Sequence, residues 1–348
     1  DDRLNKLCQE FNIDFYSFPD ALLTEPEQTL KQDGSAYKVF TAFYNRARQL
    51  PVLMPSPVFE GTFADYQNAA LKTDLTRFID AELTSAQSGG RSNALSILKS
   101  LERYQNYQQE RDFPALAQTS QLSAHLKFGT CSIREAYHAI QSILGPDHPL
   151  LRQFYWRDFF THIGFHFPSV FGNAFNQAYA SLNWQNDLTK FNAWITGKTG
   201  FPIVDAGMRE LNTTGFMHNR SRMIVASFLV KDLHIDWRWG ERYFAQHLID
   251  YDPAVNNGNW QWAASTGCDA QPYFRIFNPW LQQRKFDPDC IYIKRWIPEL
   301  TKASADIIHQ WVSKSFTCDY PAPIVNHDIE SKIAKQQLKN HLINGSSK

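Results

Sequence analysis

The chain has 348 residues, 43% of them hydrophobic and 20% charged, with a formal net charge of zero. That balance excludes a disordered chain, and no apolar run reaches the length of a bilayer-spanning helix. It also excludes a globally basic nucleic-acid binder, so any DNA-binding surface has to be a local patch.

In chain order, residues 1–50 open with a short helical stripe at Leu4, Leu7 and Cys8. Ile13-Asp14-Phe15-Tyr16 reads as a strand, and a second helical piece runs from Tyr37 to Tyr44. One strand and two helical pieces make no stable α/β layer, so this stretch either begins inside a domain or packs on the residues after it. Residues 51–91 are rich in Pro, Ser and Thr and predict a linker. From Ser92 onward helical periodicity dominates, over 92–110, 132–143, 149–162, 188–196, 202–212, 219–229 and 239–248. Gly and Pro punctuate most of the ends. Residues 331–348 are Lys- and Gln-rich and predict a fraying tail. Asp1-Asp2-Arg3 does not read as a secretion signal. Five scattered cysteines with no C-x-x-C pair fit reduced thiols and a cytoplasmic location, where the three Asn sequons carry no glycan.

Two motifs are false leads. Gly197-Lys198-Thr199 resembles the end of a P-loop, but Asn192 stands where its first Gly belongs. His162 and His166 have zinc-hydrolase spacing, yet Ile163 replaces the required Glu and no third ligand is evident. No G-x-G-x-x-G or G-x-S-x-G occurs, and no metal is expected.

The densest chemistry lies in residues 250–279, where Asp250, Asp252, Asn256, Asn257 and Trp260-Gln261-Trp262 crowd into thirteen positions. Such a cluster suggests a pocket with an aromatic wall and carboxylates for hydroxyls or ring N–H groups. In a helix Trp260 and Trp262 project to nearly opposite sides, so each can serve a different partner. Ten Trp, concentrated after residue 150, suit either a large helical core or stacking on a flat cofactor or on bases. The helix at 149–162 aligns Gln153, Trp156, Arg157 and Phe160; the one at 219–229 aligns Asn219, Arg222, Met223 and Ala226. Each is also compatible with an ordinary amphipathic helix. Thr119-Ser120-Gln121-Leu122-Ser123 reads as a phosphate nest or as a plain N-cap.

Taken together, these motifs resemble the photolyase/cryptochrome family over roughly residues 1–330. They are Tyr107-x-x-x-Arg111-Asp112-Phe113-Pro114, T-S-x-L-S at 119–123, Trp156-Arg157-Asp158-Phe159, and Gly197-Lys198-Thr199-Gly200-Phe201-Pro202-Ile203-Val204-Asp205. Met217-His218-Asn219-Arg220 and Asn256-Asn257-Gly258-Asn259-Trp260-Gln261-Trp262 complete the set. The pattern is most similar to the class I cyclobutane pyrimidine dimer photolyases. The resemblance implies a mainly α fold: a remnant of an α/β, Rossmann-like antenna domain at 1–50, the linker at 51–91, and an all-helical FAD- and DNA-binding domain at 92–330.

It further implies FAD, active when fully reduced, held by Tyr107, Thr119, Ser120, Gln121, Leu122, Ser123, Arg222, Asp250, Tyr251 and Asp252, with Asn256 at flavin N5. Excited FAD gives an electron to a cyclobutane dimer flipped out of UV-damaged DNA. Trp156, Trp262, Met223, Asn219 and Gln153 face the dimer; Arg111, Arg157, Arg220 and Gln282 contact the dimer or the DNA. Trp184, Trp237 and Trp260 relay electrons that photoreduce the flavin. Gln153 stands where these enzymes usually carry Glu, and Leu150 where a Trp often stacks on adenine. The resemblance also implies a monomer and no bound folate or deazaflavin, because the segment that holds an antenna lies before residue 1. A cryptochrome-type blue-light receptor and a weakly active binder of damaged DNA are the alternatives.

Overall fold

A computed structural model describes residues 2–56, 87–270, 272–313 and 317–345. Among them sixteen α-helices alternate with short 3-10 turns, and no strand is present. The first eight are α1 (Asp2–Glu10), α2 (Phe40–Ala47), α3 (Arg91–Lys99), α4 (Tyr107–Glu110), α5 (Leu122–Lys127), α6 (Ile133–Leu144), α7 (Pro149–His166) and α8 (Leu188–Ile195). The rest are α9 (Pro202–Thr214), α10 (Asn219–Lys231), α11 (Trp237–His247), α12 (Pro253–Ala264), α13 (Pro279–Phe286), α14 (Ile291–Trp296), α15 (Ala305–His309) and α16 (His327–Gly345).

Two apolar cores organise these helices. One gathers α2, α3, α6 and α7; the other gathers α8 to α11, α14 and the Trp260 side of α12. α12 packs on α7, α10 and α11 and therefore joins the two cores. Gly258 makes that junction possible, because a Cβ there would lie 2.1 Å from Cδ1 of Phe160 on α7. α7 is buried on most of its circumference, through Leu151, Phe154, Tyr155, Phe159 and Ile163, as a central helix requires.

Three expectations change. Residues 13–16 are not a strand: among the described residues no neighbouring strand is present to pair with them, and Ile13 and Tyr16 are exposed. The 92–110 pattern is broken into α3, a 3-10 turn at Leu101–Tyr104 and α4. The tail is a helix, because His327 Nδ1 meets Asp232 at 2.5 Å, Glu330 meets His234 at 2.7 Å, and Ala334 and Leu338 are buried. The Gly197-Lys198-Thr199 stretch, already set aside as a P-loop, is a structural turn: Thr199 N and Gly200 N donate to the buried Asp205 carboxylate at 2.8 and 3.0 Å. Most of the expected linker, 57–86, lies outside the described residues.

From Leu22 to Ala47 the N-terminal residues pack on the helices after them, as one of the two expectations for residues 1–50 has it. Asp158 on α7 accepts from Leu23 N and Thr24 N at 2.9 and 3.0 Å. Burial pushes the Asp158 carboxyl up to about 7, against the pull of those two N–H groups and Arg157. A carboxyl raised in the folded state stabilises most below its unfolded pKa, and that contribution is lost as pH rises through about 7. Asp158→Asn is therefore expected to flatten the fall in urea midpoint between pH 4 and 8. Asp158→Ala, which strands two buried N–H donors, should cost on the order of 2–4 kcal/mol at any pH. An unchanged pH slope in Asp158→Asn would place the titrating group elsewhere.

Candidate active site

The Asp252-Pro253 step sets the site. Asp252 Oδ1 accepts from Ala254 N and Val255 N at 3.1 Å each and Pro253 fills the first turn, which fixes where α12 starts and which residues it turns inward. His218 starts α10 the same way, its Nδ1 accepting from Arg220 N at 3.1 Å. Burial lowers His218 to about 4, so the cap is a neutral imidazole at physiological pH.

Between these helices lies a cavity lined by Asn219, Arg222, Met223 and Ala226 of α10, Phe244 of α11, Asp250 to Asp252, and Asn256, Trp260 and Trp262 of α12. Arg222 Nη2 spans both oxygens of Asp250 at 3.2 and 2.9 Å, and Arg222 Nε donates to Met217 O at 2.7 Å. The Asp250 side chain is 4% exposed, so this charge is fixed in place by its partner. Asn256 Nδ2 donates to Glu241 O and Oε1 at 3.0 and 3.1 Å. With its NH2 turned to α11, the amide keeps Oδ1 as its other face. Burial raises the Glu241 carboxyl, and the Asn256 hydrogen bond opposes the rise.

Glu241 is a residue that sequence reasoning missed. It belongs to no motif, and only the packing of α11 on α12 brings it to Asn256. The Trp260 ring is buried, edge-on to Phe244 at 5.0 Å and to Trp194 at 6.1 Å. Trp237 is buried in the same core, and the half-buried Trp184 packs against it. Trp262 is edge-on to Phe277 at 6.4 Å. The two Trp thus have different neighbours, yet both line one cavity. Gln261 is structural: it bonds Val170 O, Asn173 O and Asn257.

The remaining expected residues lie outside the cavity wall. Tyr107 is buried under the Arg111 guanidinium at 5.4 Å. Thr119 to Ser123 lead into α5, where Gln121 is left-handed (φ 53°) and no side chain caps the helix. Lys127, at the end of α5, reaches Asp252 at 3.8 Å and links that segment to α12. Gln153 Nε2 donates to Pro149 O at 3.3 Å, within its own helix. Gln282 sits half-buried on α13.

Three side chains expected on the dimer or DNA are engaged within the protein. Trp156 stacks on Phe40 with centroids 3.5 Å apart, because α2 docks against α7 there. Arg157 donates to Ala21 O. Arg220 is paired with Asp112 at 2.6 Å and lies 4.2 Å over the Phe286 ring, which spends its charge inside the fold.

The donor set suits FAD. A buried carboxylate locked to Arg222 and an oriented amide stand against the apolar Ala226, Leu248 and Ala263, as a flat ring with a polar edge requires. Among the described residues no group of three His, Cys, Asp or Glu is placed to hold a metal, and no helix is long and apolar enough to cross a membrane.

Comparison with known proteins agrees. A family model described as the FAD binding domain of DNA photolyase matches residues 150–340, and one described as DNA photolyase matches residues 1–58. A deoxyribodipyrimidine photo-lyase of Alkalihalophilus pseudofirmus is 41% identical over 94% of this chain and 73% of its own length. Its counterpart in Vibrio cholerae is 41% identical over 97% of this chain and 76% of its length. A crystal structure of an archaeal photolyase from Sulfolobus tokodaii with two FAD molecules superposes with a TM-score of 0.85 at 42% identity, covering 97% of this chain and 75% of that one. On a match of this extent, and with the flavin-type donor set in place, the chain belongs to the DNA photolyase family.

Proposed function

We propose that this protein is a deoxyribodipyrimidine photo-lyase, which repairs cyclobutane pyrimidine dimers in DNA using light and reduced FAD. One observation carries the reading: a single cavity gathers Arg222, Asp250, Asp252 and Asn256, expected on the flavin, with Asn219, Met223 and Trp262, expected on the dimer. When bound, reduced FAD supplies a light-excited electron that opens the cyclobutane ring and then returns.

The chain's own residues do the rest. Asp250, held by Arg222, gives a fixed acceptor for ring N–H groups. Asn256, oriented by Glu241, presents an amide whose role does not require a proton of its own. Trp262 offers a flat face and Met223 a soft one to a flipped pyrimidine pair, and Asn219 an amide to a base edge. Phe244, Leu248 and Ala263 keep water from the wall. Trp260 passes electrons into the cavity from Trp237 and Trp184. The reaction needs no general acid–base pair.

The test reconstitutes the protein with FAD, reduces it, and illuminates it with an oligonucleotide carrying one thymine dimer. Thymine absorbance is expected to recover in the light and not in the dark. Flavin photoreduction without recovery would favour the cryptochrome-type receptor, tight dimer binding without recovery the weakly active binder, and failure to take up any flavin would sink all three.

A further inference from the structure

A second concavity lies outside the cavity already described. It measures ≈ 380 Å³ and is walled by Trp280, Leu281 and Arg284 of α13 on one side and by Trp311, Val312 and Ser313 on the other. Its plates are fixed. Trp280 packs on Phe201 at 4.8 Å, and Trp311 donates its indole N–H to Pro321 O at 2.9 Å while lying edge-on to Tyr320 at 5.2 Å. Its apolar lip is open to solvent, with Leu281 59% and Val312 70% exposed. Arg284 donates to His309 O at 3.2 Å and has no carboxylate partner among the described residues. Two rigid indoles, two exposed aliphatic groups and one uncompensated guanidinium suit a nucleobase with its phosphate better than an apolar peptide.

Position supports the same occupant. Trp262, on the cavity wall, meets Phe277, and the next residue, Asn278, lines the groove and caps α13 through Leu281 N at 3.1 Å. The groove therefore starts one residue after Phe277, the ring that backs the cavity's Trp262. The last turn of α13 carries Lys285 beside Arg284. In a chain of zero net charge, this is the kind of local basic patch a DNA strand needs.

We propose that this groove holds the DNA beside the lesion: a base flanking the flipped dimer stacks on Trp280 and Trp311, with its phosphate on Arg284. The proposal rests on the repair reading above and adds a subsite that acts on binding of long DNA and not on the chemistry.

Leu281→Asp and Arg284→Glu test it, since both side chains are exposed and neither supports the core. Dark binding to a duplex with one central thymine dimer is compared with light-driven repair of the isolated dimer dinucleotide, all with FAD-loaded protein. The dissociation constant for the duplex is expected to rise at least about fivefold in each variant. In Arg284→Glu the dependence of log Kd on log salt should also fall by about one. Repair of the dinucleotide should be unchanged. Wild-type affinity for the duplex in both variants overturns the proposal, as does an equal loss on the dinucleotide, which would mean the groove acts through the cavity. A wild-type protein that does not prefer the dimer duplex over undamaged duplex would instead sink the repair reading.

Discussion

Replacing Arg222 by Leu is expected to abolish flavin binding and to cost the fold on the order of 3 kcal/mol. The geometry sets the size of the effect. Asp250 is almost fully buried, and Arg222 neutralises it through one Nη2 that spans both oxygens. Removing the cation leaves a carboxylate in an apolar wall, which is far worse than removing both charges. Asp250→Asn should therefore be milder for stability, since Arg222 keeps its bond to Met217 O and is itself a quarter exposed. The double variant Arg222→Leu/Asp250→Asn should recover part of the lost stability without recovering flavin. Urea midpoints and bound-flavin absorbance, read on the same samples, check both halves. Arg222→Leu that keeps its flavin would show that the pair is structural only.

Residues that line the cavity were legible in the sequence. Asp250, Arg222, Asn256, Met223, Asn219 and Trp262 stand in one cavity because helix periodicity and the Asp-Pro cap dictate their directions. What could not be read was what else those side chains touch. Arg220 and Arg157 looked like free cations because their partners, Asp112 and Ala21 O, lie 108 and 136 residues away in sequence. Trp156 looked like an open plate because nothing local shows that Phe40 covers it. Glu241 carries no signal at all until α11 lies on α12. Among the helices, α12 was hidden by having apolar and polar residues on all sides, as a helix joining two cores must. The strand at 13–16 failed for the converse reason: its alternation is real, but a strand is defined by its neighbour.

Gly240→Ala is expected to be among the most damaging single-methyl changes near the site. A Cβ at Gly240 would lie 2.1 and 2.5 Å from Cη2 and Cζ3 of Trp260 and 2.6 Å from Leu229 Cδ2. Trp260 has little room to retreat, with Phe244 and Trp194 edge-on to its ring. The added methyl therefore either pushes α11 off α12 or tips the indole, at about 1–3 kcal/mol of overpacking. Moving α11 also moves Glu241, and with it the orientation of Asn256. Trp260→Phe separates the two consequences: it keeps an aromatic ring in the slot but removes the indole proposed as the electron donor. It should leave flavin bound and stop its photoreduction by an added thiol, whereas Gly240→Ala should slow photoreduction and lower the urea midpoint together. Trp237→Phe should slow photoreduction without stopping it, because Trp194, buried and held through its indole N–H to Val225 O at 3.1 Å, lies edge-on to Trp260 at 6.1 Å and offers it another indole donor. The pair Trp237→Phe/Trp194→Phe should then behave as Trp260→Phe does. Photoreduction at the wild-type rate in Trp260→Phe would remove this indole from the electron route and leave Gly240 a purely structural position.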